Sequence, residues 1–283
     1  DLTYNADFLG QDPAILEALA DGSHKFAAKL KKAKRPMIII GMGALARADG
    51  AAMLGKARQI AESYGVVTKD WNGFNVLHNA AARVGGLDLG FLPARGGMGI
   101  AAMGKAAKAG KLGLLWLLGA DEIDFEPFAS SFVVYQGHHG DAGAHHADLV
   151  LPGAAYTEKD GIYVNTEGRV QYATRAAFPP GDAREDWTII RAVSGAVGKS
   201  IGFDTLAELR EALCADHPHF ADADTIAPAK WASFGGRAKL SAEPIGQAFD
   251  NFYMTCAISR ASETMAECVR ASSADHGAAV AAE

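Results

Sequence analysis

Imidazole and carboxylate side chains crowd into one glycine-containing stretch near the middle of the chain. They are His138, His139, Asp141, His145, His146 and Asp148. Zn²⁺ and Fe²⁺ accept both kinds of ligand, so a metal site is one interpretation. The stretch also lies between two expected strands, where polar side chains commonly cap backbone groups. We favour polar loop packing and assign no metal ligand here.

A second group of side chains could support acid–base chemistry: Glu158, Lys159, Asp160 and Glu167. Paired carboxylates can serve as general acid and general base. The exposed charges of a hairpin also explain these residues, and we favour that interpretation. Arg169 beside Glu167 then forms a loop ion pair, which contributes little to stability when it is exposed.

Gly41, Gly43 and Ala46 form a G-x-G-x-x-A pattern between an apolar run and a helical stretch. A dinucleotide pyrophosphate can bind at such a helix N-terminus, and Asp70 is the nearest candidate for the acidic residue expected further along. Many doubly wound domains have this turn without a nucleotide, and we favour a plain turn. Serine-nucleophile, P-loop and HExxH patterns are absent. The sequence therefore assigns no catalytic, cofactor-binding or metal-binding residue.

The elements that would position these side chains alternate between strands and helices. Apolar runs of strand length occur at 37–40, 66–67, 114–118, 132–135 and 149–151, and helical stretches at 49–64 and 99–109. Uninterrupted apolar runs are typical of parallel strands that are covered on both faces. The pattern predicts an α/β fold with a doubly wound, mostly parallel, Rossmann-like sheet.

The stretch ADLVLPGAAYTEKDGIYVNTEGRVQY, residues 147–172, predicts a strand, a loop and a β-hairpin. Pro152 ends the first strand because proline has no N–H to donate to a ladder. The hairpin strands, 162–165 and 169–172, flank a turn in which Gly168 supplies a positive φ.

Beyond the hairpin, residues 186–197 and 203–214 have helical patterns, the second with Asp204 as N-cap. From residue 216 onward apolar clusters are sparse, which indicates an extended arm more than a domain. We therefore divide the chain into a leader and helix (1–33), an α/β domain (34–200), a helical or irregular extension (201–248) and a C-terminal tail, expected to be a docking arm (249–283).

Composition narrows the class of protein. The chain has 283 residues, 49% hydrophobic and 21% charged, and a net charge of −6, which fits a globular protein and argues against nucleic acid as a partner. No apolar run approaches the roughly 20 residues that span a bilayer. Cys214, Cys256 and Cys268 form no CxxC, so we expect a reducing compartment and no iron–sulfur site here. The chain begins at Asp1 without a signal-like segment, and we expect it to be part of a longer polypeptide.

The residues of the 147–172 stretch also carry a family resemblance. The run A-D-L-V-L-P, followed by Glu158, Gly161, Asn165 and E-G-R-V-Q, resembles a signature of the molybdopterin oxidoreductase superfamily. The form with GHHGDAGAHH before it is similar to one branch, the C-terminal part of the large iron–sulfur subunits of bacterial NADH:quinone oxidoreductase, respiratory complex I. The similarity covers roughly residues 34–198, and DNFYMTCAISRASETMAEC resembles the end of those subunits.

This resemblance implies a structural role. The family's [2Fe–2S] and [4Fe–4S] clusters belong to an N-terminal region that is absent here, so no cofactor is expected in this segment. The body of the family is expected to keep the molybdopterin-enzyme fold as a scaffold without its molybdenum cofactor. The implied partners are other peripheral-arm subunits at the cytoplasmic face of the bacterial inner membrane, with no nucleic acid and no direct membrane insertion.

Two other interpretations stay open at this point. The superfamily signature also fits a fragment of an active molybdenum or tungsten oxidoreductase such as formate dehydrogenase. The turn at Gly41 and Gly43 also fits a stand-alone Rossmann-like nucleotide-binding module, and the middle domains of thiamine enzymes begin with a similar strand and turn.

Overall fold

The computed structural model describes residues 4–246, 251 and 253–280. This part of the chain is α/β with small parallel sheets, as predicted for the fold class. The chain separates into two compact units. The first unit comprises Asp1–Val84, Val164–Arg169 and Ile226–Asp250. The second comprises Gly85–Tyr163, Val170–Thr225 and Asn251–Glu283.

The first unit is built from a helix-rich N-terminal region. Its elements are α1 (Ala14–Asp21), α2 (Ala27–Lys32), β1 (Ile38–Gly41), α3 (Met42–Ala46), α4 (Gly50–Ser63) and β2 (Phe74–Leu77). Helix α1 follows Pro13, whose fixed φ suits a helix start, and ends at Gly22 with φ of 83°. Leu19 and Ala27 pack with Ile60 of α4 in the core of this unit.

Strands β1 and β2 are parallel, with Ile38 opposite Phe74. The prediction of a strand at 66–67 is wrong. Val66 is fully buried, but the chain reverses immediately after Val67, where Thr68 N–H donates to the Trp71 carbonyl over 2.7 Å. Pairing with β1 therefore begins only at β2, which the mixed polar and apolar sequence F-N-V-L did not reveal.

The remaining elements follow in chain order. They are α5 (Arg83–Asp88), α6 (Ile100–Lys108), β3 (Leu114–Leu118), β4 (Phe132–Gly137), α7 (Ala142–His146), β5 (Leu149–Pro152), β6 (Gly161–Val164), β7 (Val170–Ala173), α8 (Asp186–Ala196), α9 (Leu206–Asp216), α10 (Ala257–Arg260) and α11 (Glu263–Val280). None of the helices in the described ranges is long and apolar enough to cross a membrane.

Strands β3, β4 and β5 form a parallel sheet in that order, as the apolar runs predicted. Leu115 and Leu117 of β3 and Val133 and Tyr135 of β4 lie on one face of this sheet. They pack with Phe128 and Ala107 in the core of the second unit. Because the three strands run in the same direction, their carboxyl ends meet at one edge of the sheet.

The hairpin of β6 and β7 is confirmed, and Gly168 has φ of 86° in its turn. Helix α8 agrees closely with the predicted span. The N-cap of α9 is Thr205 rather than Asp204, because Thr205 Oγ1 accepts from Glu208 N–H while the Glu208 carboxylate reaches back to the Thr205 N–H. The C-terminal tail is helical over α11, whereas its apolar-poor sequence indicated an extended arm.

Candidate functional site at the carboxyl edge of the parallel sheet

Three carboxylates gather at the carboxyl edge of β3 and β4. Asp121 and Glu122 follow β3, and Asp141 follows β4. Asp141 Oδ1 accepts from Ala142 N–H over 2.8 Å and so caps α7. Asp121 is buried, and its Oδ2 accepts from Gly143 N–H over 3.0 Å. The side chains come together because parallel strands deliver their following loops to the same edge.

Gly143 permits the close approach of Asp121 to α7. A Cβ at this position would lie 2.8 Å from the Asp121 Cβ and 2.5 Å from the ring of Tyr135. Those distances are shorter than non-bonded carbon atoms tolerate. The glycine is therefore needed so that a buried carboxylate can reach a backbone donor.

Arg260, the last residue of α10, fills this acidic edge with its guanidinium. Its Nη2 donates to Asp121 Oδ1 over 2.7 Å, its Nη1 donates to Glu122 Oε1 over 3.1 Å, and its Nε donates to Asp141 Oδ2. A guanidinium presents a planar fork of donors, so one side chain can satisfy three carboxylates at once. We call these four residues the Arg260 clamp.

Hydrogen bonds within the Arg260 clamp favour the charged forms of Arg260 and Asp141. Burial opposes the charge on Arg260, but the hydrogen bonds to Asp141 and Glu122 outweigh that cost and raise the pKa of the guanidinium. The hydrogen bond from Arg260 lowers the pKa of the Asp141 carboxyl. The clamp is therefore held by charged hydrogen bonds between the guanidinium and its carboxylate partners.

Next to the clamp, Cys256 begins helix α10. Its N–H donates to Ser259 Oγ over 3.1 Å, and the hydrogen bond between the thiol and Ser259 lowers the pKa of Cys256. These contacts fold the chain into the single turn that aims Arg260 at the sheet edge. The sequence interpretation did not identify Arg260, since an arginine more than a hundred residues from its partners leaves no local pattern.

The polar side chains of the histidine-rich loop do not gather at one point. His138 Nδ1 lies 2.6 Å from His139 Nδ1, while His146 stacks on Phe125 with ring centroids 4.2 Å apart. Asp148 Oδ2 accepts from Val133 N–H over 2.7 Å. Burial and the neighbouring His139 lower the pKa of His138. Among the residues that the structure describes, no group of three or more His, Cys, Asp or Glu side chains could hold a metal ion.

The charged residues around the hairpin also separate. Glu158 Oε2 accepts from Ala155 N–H over 2.9 Å, and Asp160 Oδ1 accepts from Arg175 N–H over 3.0 Å. The predicted ion pair of Glu167 and Arg169 is present with a 3.5 Å separation. These carboxylates serve local backbone and ion-pair contacts and do not converge on a common point.

Lys159 belongs instead to a polar network beside β4. It pairs with Asp186 at the start of α8, and Asp186 Oδ1 accepts from Gln136 Nε2 over 2.9 Å. Gln136 is fully buried in β4. The network therefore ties the loop before β6 and the first turn of α8 to the central strand.

The glycine pattern at the end of β1 forms a turn into α3, which has only five residues. Gly41 has φ of −74° and its Cβ position is open, so the backbone there does not require glycine. Asp70 lies within the turn at residues 68–71 that precedes β2. A five-residue helix offers a weak N-terminal dipole, and the geometry does not favour a nucleotide site.

In the first unit, residues 231–245 lie along α4. Trp231 Nε1 donates to Glu62 Oε1 over 3.1 Å, and Arg58 Nη1 donates to Ser233 Oγ over 2.5 Å. Gly235 has φ of 78°, and a Cβ there would meet the Gly55 nitrogen at 2.3 Å. The chain thus crosses α4 in glycine-to-glycine contact. The sequence signal was the aromatic and glycine run W-A-S-F-G-G within an apolar-poor stretch.

Further along, Asp49 anchors the same segment. Its carboxylate accepts from Arg47 Nε over 2.8 Å and from Ser241 N–H over 2.7 Å. Arg47 Nη1 in turn donates to the carbonyls of Glu243 and Pro244. The hydrogen bond from Arg47, followed by that from Ser241, lowers the pKa of Asp49 to about 2.

Two family models match this chain. The family model for molybdopterin oxidoreductase matches residues 1–196. The model for the C-terminal part of the G subunit of NADH-ubiquinone oxidoreductase matches residues 225–268, which include residues 231–245 along α4 and, in the second unit, Arg260. This chain belongs to the molybdopterin oxidoreductase family.

Curated relatives place the chain within the same branch of the molybdopterin oxidoreductase family. It is 47% identical over 269 residues to the G subunit of NADH-quinone oxidoreductase from Rickettsia felis, covering 95% of this chain and 38% of that protein. It is 42% identical over 273 residues to the NADH-ubiquinone oxidoreductase 75 kDa subunit of Reclinomonas americana, covering 94% and 38% respectively. The chain spans about two fifths of the length of these relatives. The resemblance to the C-terminal part of the large iron–sulfur subunit is confirmed.

The carboxyl edge of β3–β5 does not fit the cofactor after which the molybdopterin oxidoreductase family is named. A molybdopterin carries phosphate and would need cations or backbone donors at this edge. Here the loops contribute Asp121, Glu122 and Asp141, and the guanidinium of Arg260 is already shared among them. A phosphate at this edge would be repelled by carboxylates whose negative charge the single guanidinium only partly neutralises. No chemical step is derived through that cofactor.

The cysteines do not fit an iron–sulfur cluster either. Cys214 lies in α9, Cys256 begins α10 and Cys268 lies in α11, with no shared ligand cluster among the described residues. Cluster ligation requires thiolates that converge on the same iron atoms. The arrangement can thus hold chain segments together by ion pairs, but it offers no donor set for either group.

Proposed function

We propose that this chain is a structural, non-catalytic part of the large iron–sulfur subunit of a NADH:quinone oxidoreductase, respiratory complex I. The single observation that carries the proposal is the Arg260 clamp. A cation from the C-terminal segment that matches this subunit occupies the sheet edge where open α/β folds bind ligands. In this proposal the whole protein transfers electrons from NADH to quinone through redox centres outside this chain, and these residues shape and stabilise the subunit.

The wider arrangement belongs to the same proposal. The α/β part is doubly wound, as supported by the parallel order β3–β4–β5 with intervening helical turns. The chain itself carries no cofactor, and the iron–sulfur clusters of the subunit lie in its N-terminal region. Its partners are other subunits of the peripheral arm, at the cytoplasmic face of the membrane. Residues 249–283 act as a docking arm, supported by the family match to 225–268.

The test is assembly of the arm in cells. We expect deletion of residues 249–283 to lower the amount of this polypeptide that co-purifies with a tagged neighbouring subunit, and NADH:quinone activity to fall in parallel. The clamp would be lost and its buried acidic edge exposed without compensation. The Arg270→Ala variant, which changes an exposed arginine of α11, is the matched control. Wild-type recovery and activity after the deletion would contradict the docking role.

A further inference from the structure

A continuous stretch of the second unit, residues 87–102, is exposed at every position although it contains many apolar residues. Its exposed large apolar side chains are Leu87, Leu89, Phe91, Leu92, Met98 and Ile100. Phe91 is the most exposed of them, at 80%. Single apolar residues on a surface are ordinary, but six within fourteen positions are typical of an interaction site. We call residues 87–100 the apolar loop.

Backbone hydrogen bonds fix the chain where Phe91 begins. Helix α5 is closed by Gly90, which has φ of 66°. The Phe91 N–H donates to the Gly86 carbonyl over 2.8 Å, and the Gly90 N–H donates to the Leu87 carbonyl over 2.9 Å. These two bonds form a Schellman motif, in which the residue at the Phe91 position commonly packs against the residue at the Gly86 position. Because Gly86 has no side chain, the motif holds the Phe91 ring in place without that covering contact.

A second turn in the apolar loop presents Arg95. The Gly97 N–H donates to the Ala94 carbonyl over 2.6 Å, and Gly96 has φ of 86°. Arg95 therefore occupies the first central position of a β-turn, where its side chain is exposed. The loop thus offers an aromatic ring and a guanidinium from turns that are formed before a partner binds. Preorganised aromatic and arginine side chains supply much of the binding energy at protein interfaces.

The charge of this region is opposite in sign to that of the whole chain, which has a net charge of −6. Residues 89–120 contain no acidic side chain and four basic ones: Arg95, Lys105, Lys108 and Lys111. Lys108 pairs with Glu126 over 2.8 Å. Within the part of the chain that the structure describes, the other three form no ion pair, and all three are exposed. These cations are therefore available to the carboxylates of a partner.

We propose that the apolar loop is the docking site for another polypeptide, whose surface presents an apolar pocket for Phe91 rimmed by Asp and Glu side chains. The inference rests on the proposed function, in which this chain belongs to one subunit of a larger assembly. Charge complementarity gives the sign of the partner, because unpaired cations attract carboxylates and steer the encounter of separate molecules. Aromatic side chains and arginine are also enriched where separate polypeptides meet.

An anionic lipid surface is the other class of partner that exposed cations attract. Proteins that lie on such a surface commonly use an amphipathic helix, with basic residues on one face and apolar residues on the other. In the apolar loop Phe91, Leu92 and Met98 lie between two helices, α5 and α6, and not on a helix face. The geometry therefore favours a pocket in a protein over a lipid surface.

Photo-crosslinking in the full-length protein tests the proposal. Phe91→p-benzoylphenylalanine keeps an aromatic ring at the anchor position and makes it reactive under light. Leu92→p-benzoylphenylalanine guards against a folding defect at one site. The matched control is Phe8→p-benzoylphenylalanine, at a phenylalanine that is 84% exposed and lies outside the apolar loop. The full-length polypeptide is irradiated in intact cells, and crosslinked peptides are identified by mass spectrometry.

We expect the positions of Phe91 and Leu92 to capture the same peptide of another polypeptide, one that contains Asp or Glu, and the position of Phe8 not to capture it. Adding Arg95→Glu should lower the yield of the Phe91 crosslink by about tenfold, because the reversed charge repels the carboxylates of the partner. Adding Arg95→Lys should retain most of the yield, because the positive charge is kept.

Capture of a second copy, of lipid, of a peptide of the same polypeptide or of nothing from both positions would overturn the proposal. A yield unchanged by Arg95→Glu would overturn it as well. A protein that fails to co-purify with complex I subunits but gives the expected crosslink to another polypeptide would contradict only the proposed function. Assembly into complex I without capture from Phe91 or Leu92 would contradict only the docking site.

Discussion

At the scale of single residues, two arginines join hydrogen-bond acceptors from distant parts of the chain. Arg260 bridges Asp121, Glu122 and Asp141, and Arg47 joins Asp49 to the carbonyls of Glu243 and Pro244. In both cases a planar fork of donors satisfies several acceptors, which a lysine could not do with the same geometry. Arg47 thereby helps to hold residues 243–244 in the first unit, and Arg260 helps to hold α10 in the second.

Replacing Arg260 tests the clamp directly. The Arg260→Ala variant leaves the buried carboxylate of Asp121 without its cation, so we expect a loss of about 3 kcal/mol in the free energy of unfolding of the second unit. Arg260→Lys should recover only part of that loss, because an ammonium cannot form the fork. Urea denaturation followed by circular dichroism measures the effect, with Arg270→Ala as control. An Arg260→Ala variant as stable as that control would contradict the clamp.

The lowered pKa of Asp49 predicts how the stability of the first unit changes at acid pH. Its folded-state pKa is about 2 against an ordinary value of 3.8, so the unfolded chain binds more protons between those values. The stabilisation from Asp49 is therefore fully present above pH 4 and lost as the pH falls from about 4 towards 2. The urea midpoint should fall in that window, and more shallowly in Asp49→Asn. An equal slope in Asp49→Asn and in the exposed Asp182→Asn would contradict this assignment.

At the scale of elements, close backbone contacts position the C-terminal segment on α4. Gly235 adopts a positive φ and lies against Gly55, and Phe234 and Trp231 pack edge-on with centroids 4.9 Å apart. Phe74 of β2 joins the same aromatic group, 5.3 Å from Trp231. The segment thus packs on α4 and β2 of the first unit, and its Leu240 is buried against Ala52 and Met53.

Gly235→Ala should detach this segment. The new Cβ would meet Gly55 at 2.3 Å, and alanine also disfavours φ of 78°, so we expect a destabilisation of about 2 kcal/mol or more. Gly202→Ala is the matched control, since its Cβ position is open and its φ is not positive. The measurement is thermal unfolding together with Trp231 fluorescence, which should shift to longer wavelength as the indole is exposed. Equal melting temperatures for the two variants would refute the contact.

At the scale of the whole molecule, the positions of the His, Cys, Asp and Glu side chains determine which metal ions or clusters the chain can bind. His138 lies against His139 and His146 stacks on Phe125, the carboxylates at the sheet edge share one guanidinium, and the cysteines lie in or at the start of different helices. Among the residues that the structure describes, these side chains form ion pairs and hydrogen bonds, and no group of three or more His, Cys, Asp or Glu could hold a metal ion.

Elemental analysis and a visible absorption spectrum of the purified chain test this conclusion. We expect molybdenum, iron and zinc each well below one atom per chain and no visible chromophore, because the described residues offer no convergent donor set. Stoichiometric molybdenum would restore the interpretation as an active molybdenum oxidoreductase. Zinc or iron near one per chain would direct attention to His138, His139, His145 and His146.

The local elements could be read directly from the sequence. The strands of the second unit, the hairpin turn at Gly168 and helix α8 follow from apolar runs, positive-φ glycine and helical spacing, which are properties of neighbours along the chain. The motif at 147–172 likewise indicated the family from the sequence. The missed strand at Phe74–Leu77 follows a turn that is closed by backbone hydrogen bonds from Thr68 to Trp71 and from Gly73 to Val66, which no local pattern announces.

The tertiary structure alone decided where the charged residues meet. Arg260 is separated from Asp121 by 139 positions and Ser241 from Asp49 by 192, so no periodicity or spacing could have paired them. The same holds for the histidine loop, whose composition suggested ligands but in which His138 lies against His139 while His146 stacks on Phe125. Convergence of side chains depends on loop closure and strand register, which are cooperative properties of the folded chain rather than of any local window.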